Sequence, residues 1–102
     1  MTLQHAARLL HDPTLGSAGL RAACFLMRQH LEQRLAGPPG PGRPPSVRAL
    51  LAVALVDRPA DARRLAQLWD ALSRACHAHG HELAPARSTV EAWLVDLQRA
   101  AP

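Results

Sequence analysis

The chain has 102 residues, a length that suits one domain, and 48% of them are apolar, which is enough for one core. Its formal net charge is +4, and all twelve basic residues are arginine, which permits an RNA partner without requiring one. No apolar run approaches the roughly 18 residues of a membrane span, and the start lacks the pattern of a signal peptide. We therefore expect one cytoplasmic domain over residues 1–102, with no membrane partner.

The first two predicted helices occupy the N-terminal third of the chain. A short apolar stripe predicts a helix that ends at Asp12-Pro13. Gly16 and Gly19 weaken the start of a longer second helix, and Gly37 can end it as a left-handed cap. The first stripe consists of Leu3, Ala6, Ala7 and Leu10, and the second of Ala23, Leu26, Met27 and Leu31, with Leu20 and Phe25 beside it.

The remaining predicted helices follow a segment rich in proline and glycine. This segment, GPPGPGRPP over residues 37–45, predicts a polyproline-like connection and excludes helix. Ser46 can cap a short apolar helix, Arg58-Pro59 interrupts the pattern, and Ser88 with Glu91 forms a capping box before the last helix. The three stripes are Val47, Leu50, Leu51, Ala54 and Leu55, then Leu65, Leu68, Trp69, Leu72 and Cys76, then Val90, Trp93, Leu94 and Leu97.

None of these helices can bury its stripe alone, and alternating strand patterns are nearly absent. The sequence therefore predicts an all-α fold, a compact bundle of four to five helices with the Pro/Gly-rich connection. The large aromatic residues Phe25, Trp69 and Trp93 fall on or beside the stripes and are interpreted as core. Cys24 and Cys76 are interpreted as small buried apolar residues.

Three of the six histidines lie in the stretch RACHAHGHELAP, residues 74–85. We place a helix over residues 60–80. Because residues three or four apart share a helix face, this helix would present one polar face, which includes His81 if the helix continues past Gly80. His79 falls toward the apolar stripe instead. The polar face would hold Asp70, Arg74, His77 and His81.

This polar face leaves three chemistries open. His77 and His81 could supply two zinc ligands, with a third from Glu82, Cys76 or another helix. A histidine that moves a proton beside an arginine that holds a phosphate would instead suit phosphodiester cleavage without metal. In the third interpretation the Asp70–Arg74 pair is an ordinary surface ion pair.

Two stretches resemble the HEPN (higher eukaryotes and prokaryotes nucleotide-binding) superfamily of small helical bundles. AACFLMRQHLEQRL, residues 22–35, is similar to the family's second helix, with Gln29 and Glu32 at its core-flanking polar positions. RACHAHGHELAP, followed by STVEAWLVDLQRA, resembles the family's signature of Arg, four to six residues and His, followed by a terminal amphipathic helix. Both His79 and His81 satisfy that spacing from Arg74.

The resemblance implies a homodimer that brings the Arg–His pairs of two protomers into one cleft. It also implies RNA cleavage without metal or cofactor, or RNA binding, in a toxin–antitoxin, defence or stress system. The implied catalytic candidates are Arg74, His81 and His79, and the substrate-binding candidates are His77 and Asp70. Ala75, which follows Arg74 where active members often carry a polar residue, favours the alternative of a non-catalytic helical protein-interaction module.

Overall fold

A computed structural model describes residues 2–37, 40–43, 45–77 and 85–99 of the chain. The predicted all-α bundle is confirmed, and the described residues contain no strand. None of the helices in these ranges combines the length and the apolar character needed to cross a membrane. The part of the chain that the structure describes contains five helices: α1 (Thr2–His11), α2 (Gly16–Ala36), α3 (Val47–Asp57), α4 (Pro59–Cys76) and α5 (Arg87–Arg99).

Helix α2 is the centre of the bundle, because it packs against each of the other four helices. Its predicted apolar stripe is confirmed: residues spaced three and four apart are buried against α1, α4 and α5. Together they form one continuous core. Its buried members are Ala6 and Leu10 of α1, Leu20, Ala23, Cys24, Met27 and Leu31 of α2, Leu68, Leu72 and Ala75 of α4, and Val90, Leu94 and Leu97 of α5.

The connection between α1 and α2 is a short hydrogen-bonded turn. Asp12 Oδ1 accepts hydrogen bonds from the Thr14 hydroxyl at 2.6 Å and from the Thr14 N–H at 2.9 Å. These bonds favour the carboxylate and lower the pKa of Asp12. The Leu15 N–H donates to the Asp12 carbonyl at 3.3 Å, so α2 can fold back directly onto α1.

Gly19 marks the closest approach of α2 to α1. A Cβ atom at this position would lie 2.6 Å from the carbonyl oxygen of Leu9 and 2.8 Å from Cβ of Leu15. Packing therefore requires glycine at this position, although the low helix propensity of glycine predicts a weak start of the helix. Helix α2 nevertheless begins at Gly16, three residues earlier.

Gly19→Ala tests this close approach. Alanine favours a helix over glycine by about 1 kcal/mol, but its Cβ would force the Leu9 backbone away, so we expect a net loss of about 1–3 kcal/mol in the free energy of unfolding. Gly40→Ala is the matched control, since a Cβ there meets no atom within 4 Å. Denaturant unfolding measures both variants. A Gly19→Ala protein as stable as the native chain would contradict the packing described here.

The predicted C-terminal end of α2, both predicted ends of α3 and the predicted start of α4 are confirmed. Gly37 caps α2 with φ at +68°, and its N–H donates to the Gln33 carbonyl at 3.0 Å. The Ser46 hydroxyl caps α3 by accepting from the Ala49 N–H at 3.2 Å. Arg58 alone separates α3 from α4, which begins at Pro59.

The predicted capping box at the start of α5 is wrong. Helix α5 begins at Arg87, and the Ala86 carbonyl accepts from the Val90 N–H at 3.2 Å, so Ser88 lies inside the first turn. The first turn is instead fastened to α1, because the Arg87 guanidinium donates to the Leu10 carbonyl. The Glu91 carboxylate lies 3.8 Å from His11 Nδ1 on the same side.

Helix α3 departs most from the sequence-based expectation. Nine of its eleven residues are apolar, yet none is buried, and the core contains no residue of α3. Val56 is 82% exposed, Val53 61% and Leu55 48%. The predicted stripe of α3 is only partly buried: Val47, Leu50, Leu51 and Ala54 are half-buried and Leu55 is exposed. The other four helices already enclose the core, so α3 packs on the outside, against α4 and α2.

Phe25 is a second correction, because it is 59% exposed. It lies two residues from both Ala23 and Met27, which are buried, and a step of two residues turns to the opposite side of a helix. Trp69 and Trp93 do pack partly buried against the core, as predicted.

Candidate functional site

The predicted site begins at the C-terminal end of α4, which is shorter than expected. The helix ends at Cys76, and His77 has left helical geometry with φ at −102° and ψ at 10°. The His77 N–H donates to the Ser73 carbonyl at 3.1 Å and closes the last turn of the helix. The expected helix over residues 60–80 is therefore wrong, and the argument that placed Arg74 and His81 on one helix face loses its basis. His79, Gly80 and His81 lie outside the described residues.

Asp70 and Arg74 do lie together, as their spacing predicts. The Arg74 guanidinium donates to the Asp70 carboxylate across one turn of α4, and both side chains are exposed. An exposed pair of this kind stabilises the fold by less than about 1 kcal/mol. The pair leaves Arg74 on the surface, with its charge already balanced by a carboxylate.

His77 is held by a residue that the sequence analysis missed as a site residue. Arg28 of α2 places Nη1 3.0 Å from Nε2 of His77, 49 positions later in the chain. A guanidinium can only donate, so a hydrogen bond in this contact runs from Arg28 to the ring nitrogen of His77. The stretch of α2 that resembles the HEPN family contains Arg28, but only the fold brings it to the end of α4.

Arg28 also joins a network between α2 and α4. Its Nε donates to Glu32 Oε1 at 3.0 Å, and Trp69 Nε1 donates to the same oxygen at 3.4 Å. The guanidinium lies 5.2 Å from the centre of the Trp69 ring, within reach of a cation–π contact. We call Arg28, Glu32, Trp69 and His77 the α2–α4 polar cluster. Glu32 is partly buried, whereas Gln29 is exposed.

The two cysteines lie next to this cluster, and both are free. Burial, together with the nearby Cys76 thiol, raises the pKa of Cys24 to about 11. Burial also raises the pKa of Cys76, although the positive charges of Arg28 and Arg21 lower it in part. The prediction of a buried apolar residue is confirmed for Cys24, whereas Cys76 is partly exposed in a groove of about 590 Å³. The groove is lined by Leu9, Ala18, Arg21, Ala22, Phe25, Leu26 and Cys76.

The raised pKa of Cys24 predicts a loss of stability in alkaline solution. The unfolded thiol ionises near pH 9 and the folded one near 11, so the folded state holds more protons in between and stability falls as the pH rises. The loss is at most about 2–3 kcal/mol. The chain has neither Lys nor Tyr, so few other groups titrate in this range. Urea unfolding from pH 8 to 11 should show a smaller fall for Cys24→Ala; equal falls would contradict the burial of this thiol.

The structure thus brings together only part of the predicted site. Asp70 and Arg74 form one pair, His77 turns to Arg28, and His79 and His81 are not described. The chain matches no protein-family model, curated protein or solved structure. In the described ranges, no three His, Cys, Asp or Glu side chains converge as a metal-binding group.

Proposed function

We propose that the chain is a non-catalytic helical protein-interaction module whose docking element is α3. The observation that carries this proposal is an almost wholly apolar helix without one buried residue. Four of its exposed residues follow the spacing i, i+3, i+4 and i+7, which places them in one row along the helix. We call this row the α3 stripe; it consists of Ala49, Ala52, Val53 and Val56.

The energetics of the α3 stripe favour a protein partner. Transfer of a valine side chain from water to an apolar contact stabilises a complex by about 1.5–3 kcal/mol when burial is complete. Val53 and Val56 are available for such a gain, because most of each side chain is exposed. A row with this spacing packs best against a second helix with an apolar face, as in helix-in-groove recognition. The partner we propose is therefore an apolar helix face of a protein.

A photo-reactive amino acid in place of Val56 tests the docking proposal in the cells that produce the chain. We expect a cross-linked product in which one protein, identified by mass spectrometry, is joined to position 56. The same amino acid in place of Gln98, an exposed residue of α5, is the matched control and should not capture that protein. Equal capture at both positions, or none at position 56, would contradict the proposal.

The second candidate function is RNA cleavage or RNA binding without metal, which the resemblance to the HEPN superfamily suggests. Arg28 and His77 favour it, because they place a guanidinium beside an imidazole at the end of α4 that carries the exposed Arg74. Such a pair could bind a phosphate and move a proton. In this proposal His81 acts with Arg74 across a homodimer cleft.

RNA cleavage in the presence of a metal chelator tests this second candidate. We expect Arg74→Ala and His81→Ala to lower the cleavage rate by roughly 100-fold or more while the helical circular dichroism is unchanged. Arg99→Ala is the control for loss of one exposed positive charge. Absence of cleavage by the native chain, or unchanged rates in both variants, would exclude the nuclease and leave the interaction module.

A further inference from the structure

The α3 stripe is complementary to itself. Consider two copies of α3 that run antiparallel about a two-fold axis between Ala52 and Val53. The axis then sets Ala49 opposite Val56 of the second copy, and Ala52 opposite Val53 of the second copy. Each large side chain faces a small one, the arrangement in which two helices approach closely without a void.

The two charges of α3 favour the same arrangement. Arg48 and Asp57 are its only charged residues and flank the apolar stretch, one at each end. In the antiparallel pair, Arg48 comes level with Asp57 of the second copy at both ends. A parallel pair would bring like charges level with each other, which destabilises association.

The surface of a single chain leaves room for such an interface. The accessible surface is 7002 Å², whereas a compact monomer of 11.0 kDa exposes roughly 5600 Å². The radius of gyration is 14.0 Å, compared with about 12.8 Å for a compact domain of this length. This excess belongs to the chain as a whole, and α3 contributes to it through the exposed side chains of Val53, Leu55 and Val56.

We infer that the partner of the α3 stripe is a second copy of this chain, paired through antiparallel α3 helices across a two-fold axis. This inference rests on the proposed function and names its partner. The surface differs from the one implied by the HEPN resemblance, in which the two protomers meet at their Arg–His pairs. It needs no residue of the α2–α4 polar cluster.

Light scattering with size-exclusion chromatography tests the inference on the full chain. We expect a mass of twice 11.0 kDa for the native protein, and the mass of one chain for Val56→Asp. Val95→Asp is the matched control, because Val95 is also exposed but lies on α5, and it should remain a dimer. Circular dichroism shows whether both variants keep the helices of the native chain. A native monomer, or a Val56→Asp protein that remains a dimer, would overturn the inference.

Disulfide cross-linking tests the antiparallel register and does not depend on Val56→Asp. In a Cys76→Ser background, the double variant Ala49→Cys, Val56→Cys should form a covalent dimer under mild oxidation. Either substitution alone should not, because each position lies about 10.5 Å along the axis from its own counterpart in the antiparallel pair. Cross-linking by the single variants would show a parallel pair and overturn the inference.

The outcomes separate this inference from the proposed function. The native chain could be monomeric and still cross-link one identified foreign protein at position 56. This result would overturn the inference that the partner is a second copy, and it would support the docking role of α3. A chain that cross-links nothing at position 56 overturns both. Cross-linking of position 56 to the chain itself supports both.

Discussion

The apolar face of α2, buried against α1, α4 and α5, is the interaction on which the rest of the molecule depends. Met27 and Leu31 lie at full burial in this face, and Gly19 lets α1 come close enough to close one side of it. Hydrophobic burial on this scale is the main favourable term in folding a chain of this size. Once α1, α4 and α5 have enclosed α2, the core contains no residue of α3.

The same packing determines the position of the α2–α4 polar cluster. Burial of α2 against α4 brings Arg28 to the end of α4, where it binds Glu32, stacks on Trp69 and contacts His77. The Arg28–Glu32 pair is more shielded from water than the Asp70–Arg74 pair, and the contacts of Trp69 with both of its members join the two helices. The exposed apolar side chains of α3 and the polar cluster between α2 and α4 thus both follow from the packing of one core.

Local patterns predicted most of the fold, and long-range geometry accounts for what they missed. Spacings of three and four, with Gly37, Ser46 and Pro59 at helix ends, determine helices that form in almost any context. The same spacing marks the half-buried row of α3, but it does not show that Val53 and Val56, outside that row, remain exposed. The contact of Arg28 with His77 spans 49 positions and follows only from the packing of α2 on α4.

The central claim is that α3 lies outside the core and depends for its protection on a partner. Hydrogen–deuterium exchange of the native chain at a series of concentrations measures this most directly. The account predicts that amides of Val47–Asp57 exchange faster on dilution, whereas the core-facing amides of Gly16–Ala36 keep their protection. If α3 remains as protected as α2 at every concentration, then α3 is stabilised within one chain and the account is contradicted.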